Sequence, residues 1–294
     1  TTQPSSAASD VYKRQNQDVA NYYDHTAPHY RQFWRLDKSM ALHYGFWKPG
    51  TKTFKESLEN TNAELATLAQ IDASDHVLDA GCGVGGSAIF LAKKVGCQAT
   101  GITLSHRQVS QAFENAKSEN VAHLTHFEER DYTNTGFPDS SFDVVWALES
   151  VGTCHEKTAF IKEAHRILKT GGRLVVADYF KRNVLHQEES RLLNKWLHGW
   201  AIADITTIDD FCGAIENGSF WIEQNKDVSS WVERSARRLY RASVAGVFGT
   251  WFYNLFHNAT PFSKTHATAG IAQYKAFKRQ LWKYHLVLAV KAEK

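Results

Sequence analysis

The amino-acid sequence predicts an α/β protein built on a mostly parallel sheet. Between residues 76 and 179, short apolar segments alternate with segments that have the periodicity of amphipathic helices. The apolar segments are rich in β-branched residues, as are strands covered on both faces. A glycine-rich turn joins the first of these strands to the helix that follows it. This arrangement is typical of parallel strands with helices packed on both sides of the sheet.

Five strands and three helices are predicted in this central region. The strands are expected at about residues 76–80, 97–103, 124–129, 142–148 and 172–179, and the helices at about 86–95, 105–119 and 157–169. Gly171 and Gly172 are expected to end the last of these helices as a C-cap. A further amphipathic helix at 53–70 leads into the sheet, because Leu58 and Leu65 recur at helical spacing.

The regular alternation ends after Tyr179. Helices are expected at about 186–203, 207–217 and 229–282, and strands at about 219–229 and 284–292, which brings the number of strands to seven. The predicted organisation is a disordered or non-native segment at 1–15, an N-terminal helical lid at 16–70, a core at 71–180, a helical cap with one sheet strand at 181–282, and a final strand at 283–294. Within the lid, short helices are expected before a turn at Lys48–Gly50.

Composition excludes several classes of function. The 294 residues carry 34 Lys and Arg against 31 Asp and Glu, so no field for a polyanion is expected and nucleic acid is disfavoured as a partner. The four cysteines are scattered, which indicates a reducing compartment and no metal site. No signal-like segment opens the chain and no apolar run reaches the ~18 residues of a spanning helix, so we expect a cytoplasmic enzyme. Peripheral contact with a membrane and assembly into a homo-oligomer both stay open.

The glycine-rich turn is the strongest single motif. Glycines at this position let a ligand approach the backbone closely, and Gly81, Gly83 and Gly86 have the spacing of a dinucleotide fingerprint. An NAD(P) dehydrogenase, or a binding protein without turnover, is therefore an alternative. However, Asp79 precedes the turn and would repel a pyrophosphate, whereas it suits an ammonium group. Thr103 stands where a dinucleotide-binding protein has its ribose-binding acid.

Four segments together resemble a known enzyme family. They read VLDAGCGVGGSAIFLA, GITLSHRQVSQA, RDYTNTGFPDSSFDVVWALES and FIKEAHRILKTGGRLVVADYF. These blocks resemble class I S-adenosylmethionine (SAM)-dependent methyltransferases, in the branch of sterol, tocopherol and prenyl diphosphate C-methyltransferases and cyclopropane fatty acid synthases. The resemblance implies a Rossmann-like seven-stranded sheet, SAM as cofactor and transfer of a methyl group to a small, largely apolar acceptor.

The resemblance also implies a set of cofactor-binding residues. It assigns the methionine end of SAM to Asp79, Gly81 and Gly83, the ribose and adenosine to Thr103, Leu104 and Gln108, and the adenine to Asp131 and Tyr132. The N-terminal aromatic residues resemble a segment that closes over SAM, with Tyr22 on the cofactor and Tyr23, Tyr44 and Trp47 on the acceptor. An aromatic lid would exclude water from the reacting groups.

Glu149 is the leading candidate for a catalytic residue, since it follows the fourth strand and ligands bind at the carboxyl ends of such strands. In the C-methyltransferases that the chain resembles, a glutamate here acts as a base or anchors the cation. His155, on the loop that follows, is a second catalytic candidate. Aromatic residues of the cap are expected to line the acceptor pocket, among them Trp196, Trp200 and Tyr240. An alkene carbon is the favoured acceptor, and an amine or a phenol is the alternative. Arg237 and Arg238 could bind a diphosphate, although a solvated helix face is favoured for them.

Overall fold

A single seven-stranded sheet forms the centre of the molecule. The computed structural model of the chain describes residues 39–154, 156–200, 202, 204–253 and 261–292. The strands are β1 (His76–Ala80), β2 (Gln98–Thr103), β3 (Thr125–Glu129), β4 (Phe142–Leu148), β5 (Leu168–Lys181), β6 (Phe220–Asp227) and β7 (Trp282–Lys291), in the spatial order β3-β2-β1-β4-β5-β7-β6. Strands β1 to β5 are parallel, and β7 runs antiparallel to both β5 and β6. The predicted seven-stranded, mostly parallel sheet is therefore confirmed.

Helices cover the sheet at the positions that the sequence indicates. In the described part of the chain they are α1 (Phe54–Leu68), α2 (Gly86–Lys94), α3 (His106–Ser118), α4 (Lys157–Ile167), α5 (Gln187–Gly199), α6 (Ile208–Asn217), α7 (Ser229–Tyr253) and α8 (Pro261–Lys278). Hydroxyl side chains that accept backbone N–H groups cap the first turns of α1, α3 and α6, at Thr53, Ser105 and Thr207. At α1, Glu56 completes a capping box with Thr53.

Two local expectations are wrong. Helix α4 ends at Ile167 and not at a glycine C-cap, because Leu168 is already extended and begins β5. Gly171 instead has a left-handed φ of +70° within an irregularity of β5, where the pairing with β4 jumps from Leu168 to Arg173. The described residues 40–48 form no helix, although the predicted turn at Lys48–Gly50 is present.

The two faces of the sheet bury different sets of helices. Val144 and Val145 point to opposite faces, as neighbours in a strand must. On one face, residues of α1, α5, α7 and α8 pack with the N-terminal residues Tyr44 and Phe46. On the other face, α4 and α6 contribute Phe160 and Phe211. The predicted lid and cap regions therefore meet on the same side of the sheet. None of the helices in the described ranges is both long and apolar enough to cross a lipid bilayer.

The strand order places a ligand crevice at the carboxyl edge of β1. This strand lies between β2 and β4, so the chain winds outward from it in both directions. In open α/β sheets, ligands bind at such a switch point, outside the carboxyl ends of the strands. Residues that follow β1, β2 and β4 are therefore brought together there, and the start of antiparallel β7 lies on the same side.

Candidate active site

The glycine turn after β1 combines unusual backbone angles with open space. Gly81 and Gly83 have φ values of +96° and +53°, a region that L side chains rarely adopt. A Cβ atom added to Gly81 would lie 2.5 Å from the Cβ of Ser150, whereas one added to Gly83 would meet nothing within 4 Å. The turn is thus packed against the segment that follows β4 and is open in front of Gly83.

Asp79 is a buried carboxyl group with one unsatisfied oxygen. Burial raises its pKa to about 7, and a hydrogen bond from the backbone N–H of Ala88 opposes that rise. Its Oδ2 atom is buried and has no hydrogen-bond partner. Leaving a buried polar atom unpaired costs ~1–3 kcal/mol, so a ligand that brings a donor here gains that free energy. The ammonium group of SAM has this property, and the residues present therefore fit the methionine end of the cofactor.

Polar side chains follow the two neighbouring strands. Thr103, at the end of β2, donates from Oγ1 to Oε1 of Gln108 at 2.6 Å, and Leu104 lies between them in sequence. After β3, Asp131 accepts hydrogen bonds from the backbone N–H and the hydroxyl of Thr133 at 2.8 and 2.7 Å. Tyr132 donates from its hydroxyl to the backbone oxygen of Ser150 at 3.0 Å. The residues predicted to bind the ribose and adenine are therefore placed along one edge of the sheet.

Glu149 follows β4 directly and is held by two donors. Its Oε1 atom accepts the backbone N–H of Tyr44 at 2.6 Å and the hydroxyl of Tyr284 at 2.8 Å. Burial raises the pKa of Glu149 well above its ordinary value, and the negative charge of Asp178 raises it further. The backbone of Glu149 has a φ of +52°, while its N–H donates to the carbonyl of Ala177 at 2.8 Å. Non-glycine residues in this region of φ are uncommon and cluster at functional sites.

Three residues near Glu149 are absent from the sequence prediction: Trp282, Tyr284 and Asp178. The pairs Tyr179–Tyr284 and Lys181–Trp282 show how antiparallel β7 brings its first residues to the edge where β5 ends. Aromatic residues at the start of the last strand were visible in the sequence, but only the antiparallel pairing gives them a place.

Asp178 lies next to this edge of β5. It accepts the backbone N–H groups of Gly152 and Tyr179 at 3.1 and 2.8 Å, and burial raises its pKa to about 6. Apart from its place at the end of β5, no sequence signal marked it.

Aromatic residues form a cluster next to Glu149, which contacts two of them, Tyr44 and Tyr284. We define the aromatic cluster as Tyr44, Tyr179, Trp196, Trp282 and Tyr284. The ring of Tyr44 lies 6.1 Å from that of Tyr284 and 5.9 Å from that of Trp282, and Trp196 lies 5.1 Å from both Tyr179 and Trp282. Two residues predicted for the acceptor site, Tyr44 and Trp196, are thus members.

Trp200 lies at the border of the aromatic cluster. Its ring is 5.9 Å from that of Trp196, in an edge contact. It directly follows α5, whose last residue is Gly199. Trp200, which is predicted to line the acceptor pocket, therefore contacts the aromatic cluster through Trp196.

Other predicted acceptor residues lie apart from the cluster. Trp47 packs against α7, where its Nε1 donates to Ser235 at 2.9 Å and the guanidinium of Arg234 lies 3.8 Å from its ring. Tyr240 contacts Tyr274 between α7 and α8, at 5.1 Å. Tyr22, Tyr23 and His155 lie outside the described residues.

The two arginines considered for a diphosphate, Arg237 and Arg238, lie on helix α7. Arg237 and Arg238 are exposed, and the guanidinium of Arg238 lies over the ring of Phe54 on α1 at 4.4 Å. This placement agrees with the solvated helix face favoured for them. Across the residues that the structure describes, no group of three or more His, Cys, Asp or Glu side chains could hold a metal ion.

Known proteins share this sequence pattern and fold. A family described as "Methyltransferase domain" matches residues 78–176. The chain is 30% identical over 221 residues to 27-O-demethylrifamycin SV methyltransferase of Amycolatopsis mediterranei, covering 74% of this chain and 79% of that protein. It is 35% identical over 206 residues to 2-methyl-6-phytyl-1,4-hydroquinone methyltransferase of Synechocystis, covering 67% and 64%. Geranyl diphosphate C-methyltransferase from Streptomyces coelicolor, solved with S-adenosyl-L-homocysteine, has the same fold, with a TM-score of 0.74, 17% identity and coverage of 95% and 98%.

The chain belongs to the SAM-dependent methyltransferases, and its sheet has the class I fold of that family. It is an enzyme, and its cofactor is SAM. The open glycine turn and the unpaired oxygen of Asp79 are the features of this chain that fit that cofactor.

Proposed function

We propose that the protein transfers the methyl group of SAM to an alkene carbon of a prenyl, terpenoid or sterol-like acceptor, with Glu149 as the base. One observation carries this proposal: the carboxyl group of Glu149 is held by Tyr44 and Tyr284 directly beside the aromatic cluster. A carboxylate next to aromatic faces provides the two functions that alkene methylation requires. The rings stabilise a positive charge, and the carboxylate removes a proton.

The reaction proceeds in two steps. The π electrons of the alkene form a bond to the methyl carbon while the bond from that carbon to sulfur breaks, which releases S-adenosylhomocysteine. The neighbouring carbon of the acceptor is left with a positive charge. Glu149 then accepts a proton from a carbon next to that charge, and the C–H electron pair forms a new double bond. Because the donor is already activated, positioning and exclusion of water supply most of the catalysis.

The electrostatics of Glu149 suit a base that acts only when a cation is present. Burial raises its pKa, which makes the carboxylate a stronger proton acceptor than an exposed glutamate. The donors from Tyr44 and Tyr284 favour the ionised form. A positive charge in the aromatic cluster would lower the pKa again by direct attraction, so we expect the group to be ionised when the acceptor carries its charge.

The donor and acceptor sides of the site are adjacent. Gly81 of the proposed SAM-binding turn packs against Ser150, which directly follows Glu149. This contact supports roles for Asp79, Gly81 and Gly83 at the methionine end, close to the reacting methyl group. We propose Thr103, Leu104 and Gln108 for the ribose and adenosine and Asp131 and Tyr132 for the adenine, because they line the same edge of the sheet. The proposed roles of Tyr22, Tyr23 and His155 rest on the sequence alone.

A hydroxyl acceptor is the second candidate. The name of the Amycolatopsis relative specifies a 27-O-demethylrifamycin, which is methylated on oxygen. In that case Glu149 would accept the hydroxyl proton, and no carbocation would form. The two candidates differ in the bond that is made, so the product distinguishes them.

A panel assay tests the proposed function. Purified protein is incubated with methyl-labelled SAM and one member of each acceptor class: prenyl diphosphates and prenols, sterols, tocopherol-type phenols and small amines. We expect label on a carbon of a prenyl or sterol-type acceptor, located by mass spectrometry of the product. Label confined to oxygen or nitrogen would refute carbon methylation, and absence of SAM binding in titration calorimetry would refute the enzyme class.

Substitution of Glu149 tests its role as base. Glu149→Gln should lower kcat at least ~100-fold while SAM affinity changes less than ~3-fold, because general-base catalysis contributes ~10²–10⁴-fold. Tyr284→Phe should lower kcat less and move the acidic limb of the pH profile to higher pH, since the carboxylate loses one donor. Glu216→Gln, at an exposed position of α6, is the matched control and should keep full activity. Full turnover by Glu149→Gln would remove the assignment.

A further inference from the structure

A buried amide without partners lies at the end of the aromatic cluster that faces helix α8. Gln273 is 0% exposed, and neither its Nε2 nor its Oε1 atom has a hydrogen-bond partner among the described residues. The indole Nε1 of Trp196 is likewise buried and unpartnered. Each such atom costs ~1–3 kcal/mol when its desolvation is not compensated. These three unpaired polar atoms belong to two buried residues that both contact Trp282, and they point to a polar ligand there.

Contacts through Trp282 connect this amide to Glu149. The indole Nε1 of Trp282 donates to the backbone oxygen of Gln273 at 3.1 Å, and its ring lies 5.1 Å from that of Trp196. On the other side, the ring of Trp282 lies 5.9 Å from that of Tyr44, whose backbone N–H binds Glu149. Glu149 and Gln273 therefore lie at opposite ends of the same aromatic cluster.

Packing of α8 fixes the position of Gln273. A Cβ atom added to Gly270, one turn earlier, would lie 2.0 Å from the hydroxyl of Ser243 on α7 and 3.7 Å from the ring of Trp200. This face of α8 is thus pressed between α5 and α7, and the next turn carries Gln273 into the same interface. Rotation of the amide into solvent would require separation of these helices.

The available donors and acceptor match one functional group. A hydroxyl has one donor and two acceptor lone pairs. Gln273 offers an acceptor at Oε1 and two N–H donors at Nε2, and Trp196 offers one donor at Nε1, so a hydroxyl can donate to Oε1 and accept one N–H from each residue. We propose that the methyl acceptor carries a hydroxyl group at the end remote from the methylated atom, and that Gln273 and Trp196 bind this group. This inference rests on the proposed function, since it assumes that the acceptor fills the aromatic cluster.

Anionic groups are a poor match for this position. In the part of the chain that the structure describes, no lysine or arginine side chain is buried. A diphosphate or carboxylate placed beside Gln273 would therefore lose its hydration without gaining a counter-charge, which is strongly unfavourable. The exposed Arg237 and Arg238 cannot supply it, since Arg238 lies over Phe54. The inferred substrate class is thus a free alcohol, sterol or phenol and not a diphosphate ester.

Binding of paired probes tests the inference independently of turnover. Thermal shifts are measured with the full chain saturated with S-adenosylhomocysteine, using farnesol against farnesene, cholesterol against cholestene, and p-cresol against toluene. We expect at least one hydroxylated probe to stabilise the protein while its hydrocarbon partner does so at least ~10-fold more weakly in apparent affinity, because a site built for a hydroxyl rejects the analogue that lacks it.

Gln273→Leu should abolish this discrimination and raise the melting temperature of the ligand-free protein, since it removes unsatisfied polar atoms from the core. Gln224→Leu, on the exposed edge strand β6, is the matched control and should retain the discrimination. Equal or absent shifts for the two members of every pair, or an unchanged preference in Gln273→Leu, would overturn the inference. Failure of the proposed function would be seen separately, as loss of S-adenosylhomocysteine binding or of label transfer.

Discussion

At the scale of single residues, the site is defined by carboxyl groups that the fold holds in unfavourable surroundings. Asp79, Glu149 and Asp178 are all buried enough to raise their pKa values, and none of them has a described arginine or lysine as a hydrogen-bonding partner. Buried ionisable groups of this kind are expected where a charged ligand completes the environment. SAM carries a positively charged ammonium group and a positively charged sulfonium group, so its binding would provide opposite charges for these buried carboxyl groups.

Asp79→Asn should weaken SAM binding ~30-fold or more, because the carboxylate–ammonium contact is worth ~2–3 kcal/mol. SAM affinity of the unchanged protein should rise between pH ~6 and ~7.5, as Asp79 ionises around its pKa of about 7, and the variant should lack this rise. Titration calorimetry at several pH values measures both effects. Asp139→Asn, at an exposed site, is the control. Equal pH dependence in both variants would argue against contact between Asp79 and the ammonium.

At the scale of secondary-structure elements, the N-terminal segment and the start of α2 are closely packed. A Cβ atom added to Gly86 would lie 2.0 Å from the backbone oxygen of Met40. Four residues later, Tyr44 donates its backbone N–H to Glu149, and Gly45 binds the hydroxyl of Ser235 on α7. The segment from Met40 to Gly45 thus connects the glycine turn, the proposed base and the cap.

Gly86→Ala should therefore push this segment away from α2, destabilise the protein by ~1–3 kcal/mol and reduce turnover. Gly213→Ala is the matched change inside helix α6, where nothing lies within 4 Å of an added Cβ. It should stabilise the protein by ~0.5–1 kcal/mol, as alanine is the better helix former. Urea denaturation gives both values, and hydrogen exchange at residues 43–46 detects the displaced segment. The two substitutions should change the free energy of unfolding in opposite directions. No change in Gly86→Ala would contradict the close packing of Met40 against α2.

At the scale of the whole molecule, the raised carboxyl pKa values make stability depend on pH. A group whose pKa is higher in the folded state retains a proton that the unfolded chain releases, so stability falls as pH rises from ~4 to the folded value. This applies to Asp178 up to about 6 and to Asp79 up to about 7, and Glu149 continues the trend. Buried His43, whose pKa is lowered from 6.5 to about 4, acts in the opposite direction below pH 6.5.

The free energy of unfolding of the ligand-free protein should consequently decline from pH ~5 toward pH ~8, because three carboxyl groups with raised pKa values outweigh the single histidine. Asp79→Asn and Glu149→Gln should each reduce that decline. Saturating SAM should reduce it as well, because its positive charges favour the ionised carboxylates. Urea titrations at half-unit intervals of pH measure the curve. A stability that rises steadily through this range would contradict the assigned direction of the pKa shifts.

The sequence by itself determined the type of sheet, the glycine turn and most helix boundaries, because these depend on local periodicity, capping and backbone freedom. It also predicted that Asp79 and Glu149 lie at the same edge of the sheet, since the carboxyl ends of parallel strands meet there. The local error at Gly171 has a similar origin: a glycine after a helix favours a C-cap, but pairing between β4 and β5 required it for an irregularity in the strand.

Only the tertiary structure decided which distant residues complete the site. The antiparallel direction of β7 brings Trp282 and Tyr284 to Glu149, and packing of α8 against α5 buries Gln273 beside the aromatic cluster. The tertiary structure also places Trp47 and Tyr240 outside that cluster, although they are aromatic residues like its members. Periodicity indicates which face of a helix or strand is buried. Which neighbour covers that face depends on the packing of the whole chain, and a local sequence pattern contains no information about it.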